Sequence, residues 1–263
     1  METNRANWDA RVPIHVRSGE YDLDAFAAGK ENLFEYEPAE LGDVPGKRLL
    51  HLQCHLGLDT LSWARRGALV TGLDFSRPAL DVAAGLAARI GVVDSARFIL
   101  SDVYEADKAL AGETFDVVYS NIGSLQYLPD IDRWAQIVAS LLAVGGVCYI
   151  NEGHPLVQLI GDDGRTLRGD YLSGAAVLLD EGTYADPRAP LAASRSVEWI
   201  HQIPQVVTAL GTAGLRVEFV HERDWFWYPL LPVLVQGEDG RWRFPDGAPN
   251  MPMIYSLRAV KDQ

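Results

Sequence analysis

The sequence predicts an α/β fold built on a doubly wound, largely parallel sheet. Between residues 46 and 150 five short apolar runs, RLLHLQ, ALVTGLD, ARFILSD, FDVVYS and GVCYIN, alternate with stretches of helical periodicity. That alternation is the pattern of βα units feeding a parallel sheet. The first three runs also end on polar residues, Gln53, Asp74 and Asp102, and Asn121 directly follows the fourth. In an open parallel sheet ligands sit outside the carboxyl ends of the strands, so these are the positions where a site is expected.

The elements follow in order. The first 45 residues are a mainly polar, aromatic-dotted lead-in, read as an N-terminal cap. After the first run, Leu58, Leu61 and Ala64 are spaced for a helix that closes on Gly67, a plausible C-terminal cap. Ser76 is a good N-cap and Pro78 sits early in an alanine-rich helix through Ile90. Ile131, Trp134, Val138, Leu141 and Leu142 share one face of a helix expected to stop at Gly145 and Gly146. Beyond residue 151 the rhythm loosens, and residues 154–200, rich in Gly, Asp and Ala, read as an insertion. A helical pattern resumes in EWIHQIPQVVTALGTAG, and LRVEFVHE and MIYSLRAV read as strands flanking an aromatic, proline-rich stretch at 222–252.

Composition narrows the function. Lys and Arg total 23 against 36 Asp and Glu, a net charge of -13, which argues against nucleic acid or an anionic membrane surface as partner. The two cysteines, Cys54 and Cys148, fall in or beside predicted strands, as expected for reduced thiols in a cytoplasmic protein, and no Cys/His spacing suggests a metal. The segment METNRANWDARVP lacks the apolar core of a signal peptide, and no apolar run approaches the roughly 18 residues of a membrane span.

The turn after the first run carries the ligand argument. Gly57 alone is expected to turn the chain into a helix whose free N–H groups face the ligand. Asp74, about 20 residues later, suits the two hydroxyls of a ribose, or else simply caps the next helix. Asp102 suits the exocyclic amine of an adenine, or is a loop carboxylate. A dinucleotide pyrophosphate needs several glycines for close backbone approach, and Gln53, Cys54, His55 and Leu56 would crowd it. A ligand with an amino acid tail asks less of the loop. S-adenosylmethionine is such a ligand.

At this point the residues resemble a known family. LLHLQCHLGLDTLSWARRGALVTGLDFS is similar to a small-molecule branch of the class I S-adenosylmethionine-dependent methyltransferases, in which L-H-L-Q-C-H-x-G-x-D-T replaces the usual glycine-rich loop. ARFILSDVYE, FDVVYSNIGSLQYLPDIDRWAQIVASLLAVGG, INEGHP and MPMIYSLRAV resemble the branch's later motifs. The resemblance implies a Rossmann-like seven-stranded sheet with an antiparallel last strand and one domain over 1–263: a cap at 1–45, a cofactor-binding half at 46–153, and lid or acceptor insertions at 154–200 and 222–252. It implies that Gln53, Cys54, His55 and Gly57 line the methionine end, with Asp59 and Thr60 supporting the loop through capping bonds. Asp74, followed by Phe75 and Ser76, would take the ribose. Asp102 and Val103 would flank the adenine, and Asn121 and Ile122 would lie near the sulfonium. Whether His55 touches the cofactor or braces the loop stays open.

Methyl transfer is an in-line displacement, so alignment and exclusion of water do most of the work, and a base is needed only if the acceptor must lose a proton. His154 is the leading candidate, followed by Glu152 and His201; each is equally readable as a structural hydrogen-bonder. His51 reads as core. Trp8, His15 and Tyr21 in the lead-in are placed to close over the cofactor or to pack peripherally. Trp225, Phe226, Trp227, Tyr228, Trp242 and Phe244, and Tyr184 with them, would wall a pocket for a ring-containing or apolar acceptor, fill the insertion's core, or form a dimer surface. The expected reaction is methylation of a small molecule at O or N, with C open, releasing S-adenosylhomocysteine, by a monomer or homodimer. An NAD(P)-type oxidoreductase is disfavoured by the loop. A non-catalytic S-adenosylmethionine-binding module and an aminopropyl transferase are the other readings, the last lacking an acidic polyamine site.

Overall fold

A computed structural model describes residues 1–248 and 250–262; Pro249, inside the aromatic segment, and Gln263 lie outside the described residues. The apolar runs form β1 (Arg48–Leu52), β2 (Leu69–Asp74), β3 (Ala96–Leu100), β4 (Phe115–Ser120) and β5 (Leu142–Gly153), joined by β6 (Leu215–Arg223) and β7 (Ile254–Lys261). They make one seven-stranded sheet in the order β3-β2-β1-β4-β5-β7-β6. β1 to β5 pair in parallel, and β7 runs antiparallel to both β5 and β6. This is the mixed sheet with a reversed last strand that the resemblance implies. Strand order reverses at β1, flanked by β2 and β4, so a crevice opens at the carboxyl ends of β1 and β4.

The helices are α1 (Glu2–Arg17), α2 (Leu23–Ala27), α3 (Tyr36–Leu41), α4 (Leu58–Arg65), α5 (Arg77–Arg89), α6 (Ala106–Ala109), α7 (Ile131–Leu141) and α8 (Ile203–Thr212). Side chains alternate across β1. Leu50 and Leu52 enter a core shared with Val118, Trp134 and Val138 of α7, Ile150, and Val206 and Leu210 of α8. Leu49 faces the other way, toward Trp63 of α4, Val117, Tyr119 and Tyr149. Because both faces are covered, the strands read as near-continuous apolar runs, which is why they were visible in the sequence.

Three local expectations are corrected. α7 ends at Leu141, and Leu142 opens β5 rather than closing the helix face. Gly145, at φ +77°, and Gly146 lie inside β5, beside the register shift against β4 between Phe115 and Val117; the pair serves a bulge, where extra twist favours glycine. α8 begins at Ile203, not near Glu198, with Pro204 in its first turn, where a missing N–H costs nothing. The polar lead-in is helical: α1 covers 16 residues, and Asn4 and Asn7 fasten it to the insertion. Asn4 Nδ2 donates to the Val197 carbonyl at 2.8 Å, the Val197 amide donates to Asn4 Oδ1 at 2.7 Å, and Asn7 Nδ2 donates to the Ala193 carbonyl at 2.9 Å. That insertion carries a two-stranded antiparallel ribbon, Val177–Asp180 with Arg195–Glu198. No helix among the described residues is long and apolar enough to cross a membrane.

α5 packs closely on the start of α4. A Cβ at Gly57, whose φ is +76°, would lie 2.8 Å from Ala83 Cβ and 3.2 Å from the Phe98 ring. Gly57→Ala combines left-handed strain with overpacking and should cost about 2–4 kcal/mol of unfolding free energy, read by urea denaturation; a loss too small to measure would show that α4 and α5 separate without penalty.

Candidate active site

The turn leaving β1 departs from expectation in an informative way. Gly57 does not make it alone: Gln53 (φ +58°), His55 (φ +48°) and Gly57 (φ +76°) all lie in the left-handed region. Glycines adopt this conformation freely. For Gln53 and His55 it costs on the order of 1–2 kcal/mol each, so the loop must be held from outside. The His55 amide donates to Asp74 Oδ2 at 2.9 Å, the Cys54 amide to the Leu73 carbonyl at 3.1 Å, and the Gly57 amide to the Cys54 carbonyl at 2.9 Å. Side chains add two more ties. Gln53 Nε2 donates to the Ser124 carbonyl at 2.9 Å, and His55 Nε2 meets His15 Nδ1 at 2.9 Å.

Above this loop lies a cleft. Of the residues expected to meet a cofactor, Gln53, Cys54, His55, Gly57, Asp59, Asp74, Phe75, Asn121, Ile122, Trp8 and Tyr21 line it, as does His51. Five do not. Thr60 is buried with its hydroxyl 2.7 Å from His51 Nδ1. Ser76 caps α5, accepting from the Ala79 amide at 3.3 Å, and its hydroxyl donates to Asp9 Oδ1 on α1 at 2.6 Å. His15 sits behind the loop. Asp102 accepts from the Tyr104 amide at 3.0 Å and borders a second groove with Phe75, Ser101, Met1 and Arg5. Val103 is buried in the core under α7.

Asp59 was expected to cap α4 and does not; Gly57 occupies the N-cap without a side-chain bond. Its carboxylate instead accepts from the side-chain amides of Asn32 and Asn121 at the cleft. Burial pushes the Asp59 carboxyl up to about 6 against the pull of those two amides. Burial likewise raises Asp74 to about 6, opposed by the Ser76 and His55 amides. Each Asp74 oxygen accepts one backbone bond, and a carboxylate has lone pairs for more. Gln53 Oε1 is buried without a hydrogen-bond partner.

α1 forms the cover. His15, fully buried, bonds His55 through Nδ1 and Thr183 Oγ1 through Nε2 at 2.6 Å, so one imidazole joins the cap, the loop and the insertion. Tyr21 stacks on it at 4.9 Å and bonds its hydroxyl to that of Tyr184. Trp8 packs edge-on against His55 at 5.0 Å and Tyr127 at 5.4 Å. His55 thus borders the cleft, and its ring bonds His15 and packs on Trp8 and Tyr21 of the cap.

A second chamber adjoins the cleft. The two share Trp8, Ile122, Gly123, Tyr127 and Tyr184. Phe226, Trp227, Tyr228, Val157 and Leu230 wall the chamber, and Arg11 and Glu198 face it. Within the aromatic cluster Phe226, Trp227 and Tyr228 line the space, and Trp225, Trp242 and Phe244 pack behind them in one core that also takes in Phe34 and Tyr36 of the lead-in.

Of the three candidate bases, Glu152 and His154 border the chamber and His201 does not. Glu152, 5% exposed, borders the chamber but accepts from the amides of Gly123 (2.5 Å), Ser124 (3.0 Å), Leu125 (3.0 Å) and Gly153 (2.9 Å) and from the Ser124 hydroxyl (3.1 Å). It holds the 123–125 turn and has no lone pair to spare. His154, 4% exposed, accepts from the Leu156 amide at Nδ1 (3.2 Å), which leaves its ring proton on Nε2, 3.0 Å from Glu222 Oε1. Neither nitrogen is available as a base. His201 lies off the chamber, in a small pocket with Gln158 and Trp199; its Nε2 donates to the Leu128 carbonyl at 2.7 Å and its Nδ1 is buried without a partner. Sequence reasoning missed Arg11, Asn32, Tyr127 and Glu198. A signal for Arg11 existed: Asn4, Asn7, Trp8, Arg11 and His15 repeat at helical spacing on the buried side of α1 or facing the two cavities.

Burial, reinforced by the Arg11 charge, lowers His15 to about 3. The folded state keeps this imidazole neutral while the unfolded chain protonates near 6.5, so its contribution is full above 6.5 and is lost as pH falls from there toward 3. Unfolding free energy should therefore drop more steeply between pH 7.5 and 5.5 in the wild type than in His15→Asn, by denaturant titration at each pH; parallel slopes would contradict a neutral buried His15.

Residues 50–148 match a family model described as a methyltransferase domain. A ubiquinone biosynthesis O-methyltransferase of Psychrobacter cryohalolentis is 35% identical over 147 residues, 56% of this chain and 51% of the relative. The chain thus spans about half the length of the curated relatives it matches. Among solved structures, a Listeria monocytogenes protein assigned to the S-adenosylmethionine-dependent methyltransferases superposes with a TM-score of 0.62 at 17% identity, covering 87% of this chain and 97% of that one. A Mesorhizobium loti S-adenosylmethionine-dependent methyltransferase gives 0.57 at 20% identity, covering 89% and 99%. The sheet order, the crevice and these likenesses together give the chain the class I S-adenosylmethionine-dependent methyltransferase fold, with a methyltransferase-domain match over residues 50–148.

Proposed function

We propose that the protein binds S-adenosylmethionine in the cleft and transfers its methyl group to an oxygen of a small aromatic acceptor held in the chamber. The observation that carries this reading is the shared wall: Trp8, Ile122, Gly123, Tyr127 and Tyr184 border both spaces, so two bound molecules would meet there. The cleft's polar groups fit the cofactor. Asp74 has lone pairs for a ribose diol, and the orphaned Gln53 Oε1 suits an ammonium. Phe75 and Ile122 offer apolar contact, and Asp102 with Val103 lies past Phe75, on the side the resemblance implies for adenine.

The bound cofactor supplies an electrophilic methyl on a sulfonium. The chain's own residues align and enclose. The Glu152 brace fixes the 123–125 turn between the two spaces, and the α1 cover with Trp8 excludes water. With His154 and Glu152 engaged elsewhere, Glu198 is the carboxylate left to accept a hydroxyl proton: burial raises its pKa, against the downward pull of the Ser196 and Tyr127 hydroxyls and of the Arg11 charge. A raised carboxyl pKa suits a general base working near neutrality. The aromatic chamber walls, and a curated relative whose name specifies O-methylation, favour a ring hydroxyl over an amine.

Incubation with methyl-labelled S-adenosylmethionine and a panel of mono- and dihydroxy-arenes should yield labelled aryl ethers. S-adenosylhomocysteine binding without any product would reduce the protein to a binding module. In the same preparation Asp74→Ala should weaken S-adenosylhomocysteine binding more than tenfold, about 1.4 kcal/mol, by calorimetry; unchanged affinity would remove the ribose assignment.

A further inference from the structure

We infer that the acceptor carries a carboxylate and that Arg11 receives it at the wall of the chamber. Arg11 is 6% exposed, yet its side chain makes no hydrogen bond and no ion pair among the described residues, and its Nε is buried without a partner. Its closest recorded partner is the Trp8 ring, 5.1 Å from the guanidinium carbon. Other partly buried arginines are engaged: Arg223 pairs with Glu40 and Arg258 with Glu218. A guanidinium cannot lose its charge inside a protein, and a buried unpaired charge is costly. A ligand that neutralises it explains why the chain keeps it there.

The surroundings give that guanidinium no direct partner. Glu198 borders the same chamber and feels the Arg11 charge, which works against burial's upward push on its carboxyl, but no hydrogen bond or ion pair joins the two among the described residues. On the other side, His15 and His55 are held neutral by burial and by Arg11 itself. The Tyr127 and Tyr184 phenols, within reach of the same charge, are raised by burial and so neutral as well. The planar guanidinium fork matches a carboxylate through two parallel N–H···O bonds. The whole chain carries -13, so an anion approaching it is repelled overall, and recognition has to come from a cation placed locally. The aromatic walls supply the other half of the specificity, which makes the acceptor an aromatic acid bearing a hydroxyl.

This inference rests on the chamber being the acceptor site, and the test separates the two. Matched pairs, 3,4-dihydroxybenzoate with 3,4-dihydroxybenzamide and 4-hydroxybenzoate with 4-hydroxybenzamide, are titrated into the full chain, free and loaded with S-adenosylhomocysteine, following tryptophan fluorescence and calorimetric heat. At least one carboxylate should bind tenfold or more tighter than its amide in the wild type. Arg11→Gln should erase the preference, and Arg11→Lys, which keeps the charge but not the fork, should retain part of it. Thermal melts of both variants check folding, and if Arg11→Gln fails to fold, Arg11→Lys and the wild-type pairs decide. No carboxylate outperforming its amide, whether both bind or neither does, overturns the assignment, as does an Arg11→Gln protein that keeps the preference. Labelled methyl transfer to neutral phenols without a carboxylate preference would keep the enzyme reading and remove this one. Failure to bind S-adenosylhomocysteine would remove the enzyme reading, while the titration of the free chain still reports on Arg11.

Discussion

Asp74 closes β2 with a buried carboxylate whose two oxygens accept from the amides of His55 and Ser76, at 2.9 and 2.8 Å. One side chain thereby fixes the loop after β1 and the entry to α5 at once. The bond to His55 falls on a residue held at φ +48°, a conformation that an L side chain does not adopt without help. Because the loop is stitched from below, Gln53 and His55 occupy positions that glycines fill elsewhere, and their side chains are free for other work. His55 reaches His15 in the cover, and Gln53 reaches the Ser124 carbonyl at the neighbouring strand end. The cost is electrostatic: burial brings Asp74 near 6, and a ligand with hydroxyl donors would favour its ionised form.

The same economy runs through the second chamber. Glu152 spends its carboxylate on the turn at 123–125, and His154 spends both ring nitrogens on Leu156 and Glu222. These polar groups make the junction rigid rather than reactive. On the proposed reading, reactive character falls to residues from the cap and the insertion, Arg11 and Glu198, with the sheet holding the cofactor and those added segments the acceptor. α1 is fastened to the ribbon by Asn4 and Asn7, and the face that follows, Trp8, Arg11 and His15, meets the two spaces and the bond to the loop.

What was legible in the sequence follows from the range of the interactions involved. β1, β2, β4 and β5 were readable because they are buried on both faces, and the edge strand β3 from its short apolar run alone. Gln53, Asp74 and Asn121 were readable because a crevice opens beside the ends of the central strands, whereas Asp102, at the edge, lies off it. The glycine pair at 145–146 misled because a bulge and a helix stop call for the same residue. The sign of φ at Gln53 and His55 was not legible, since it depends on Asp74, about 20 residues away in the chain. His154 and Glu152 looked like bases because their partners, Glu222 and the 123–125 amides, come from distant segments. Arg11 was missed because a single arginine in a polar helix reads as solvated until the ribbon is packed over it.

The central claim is that this glycine-poor, Asp74-stitched loop admits an adenosine carrying an amino acid tail and refuses a dinucleotide pyrophosphate. Parallel calorimetric titrations of the wild-type chain with S-adenosylhomocysteine and with NAD test it most directly. One-to-one binding of S-adenosylhomocysteine with no heat from NAD is the result the account predicts. Saturable binding of NAD with none of S-adenosylhomocysteine would contradict it.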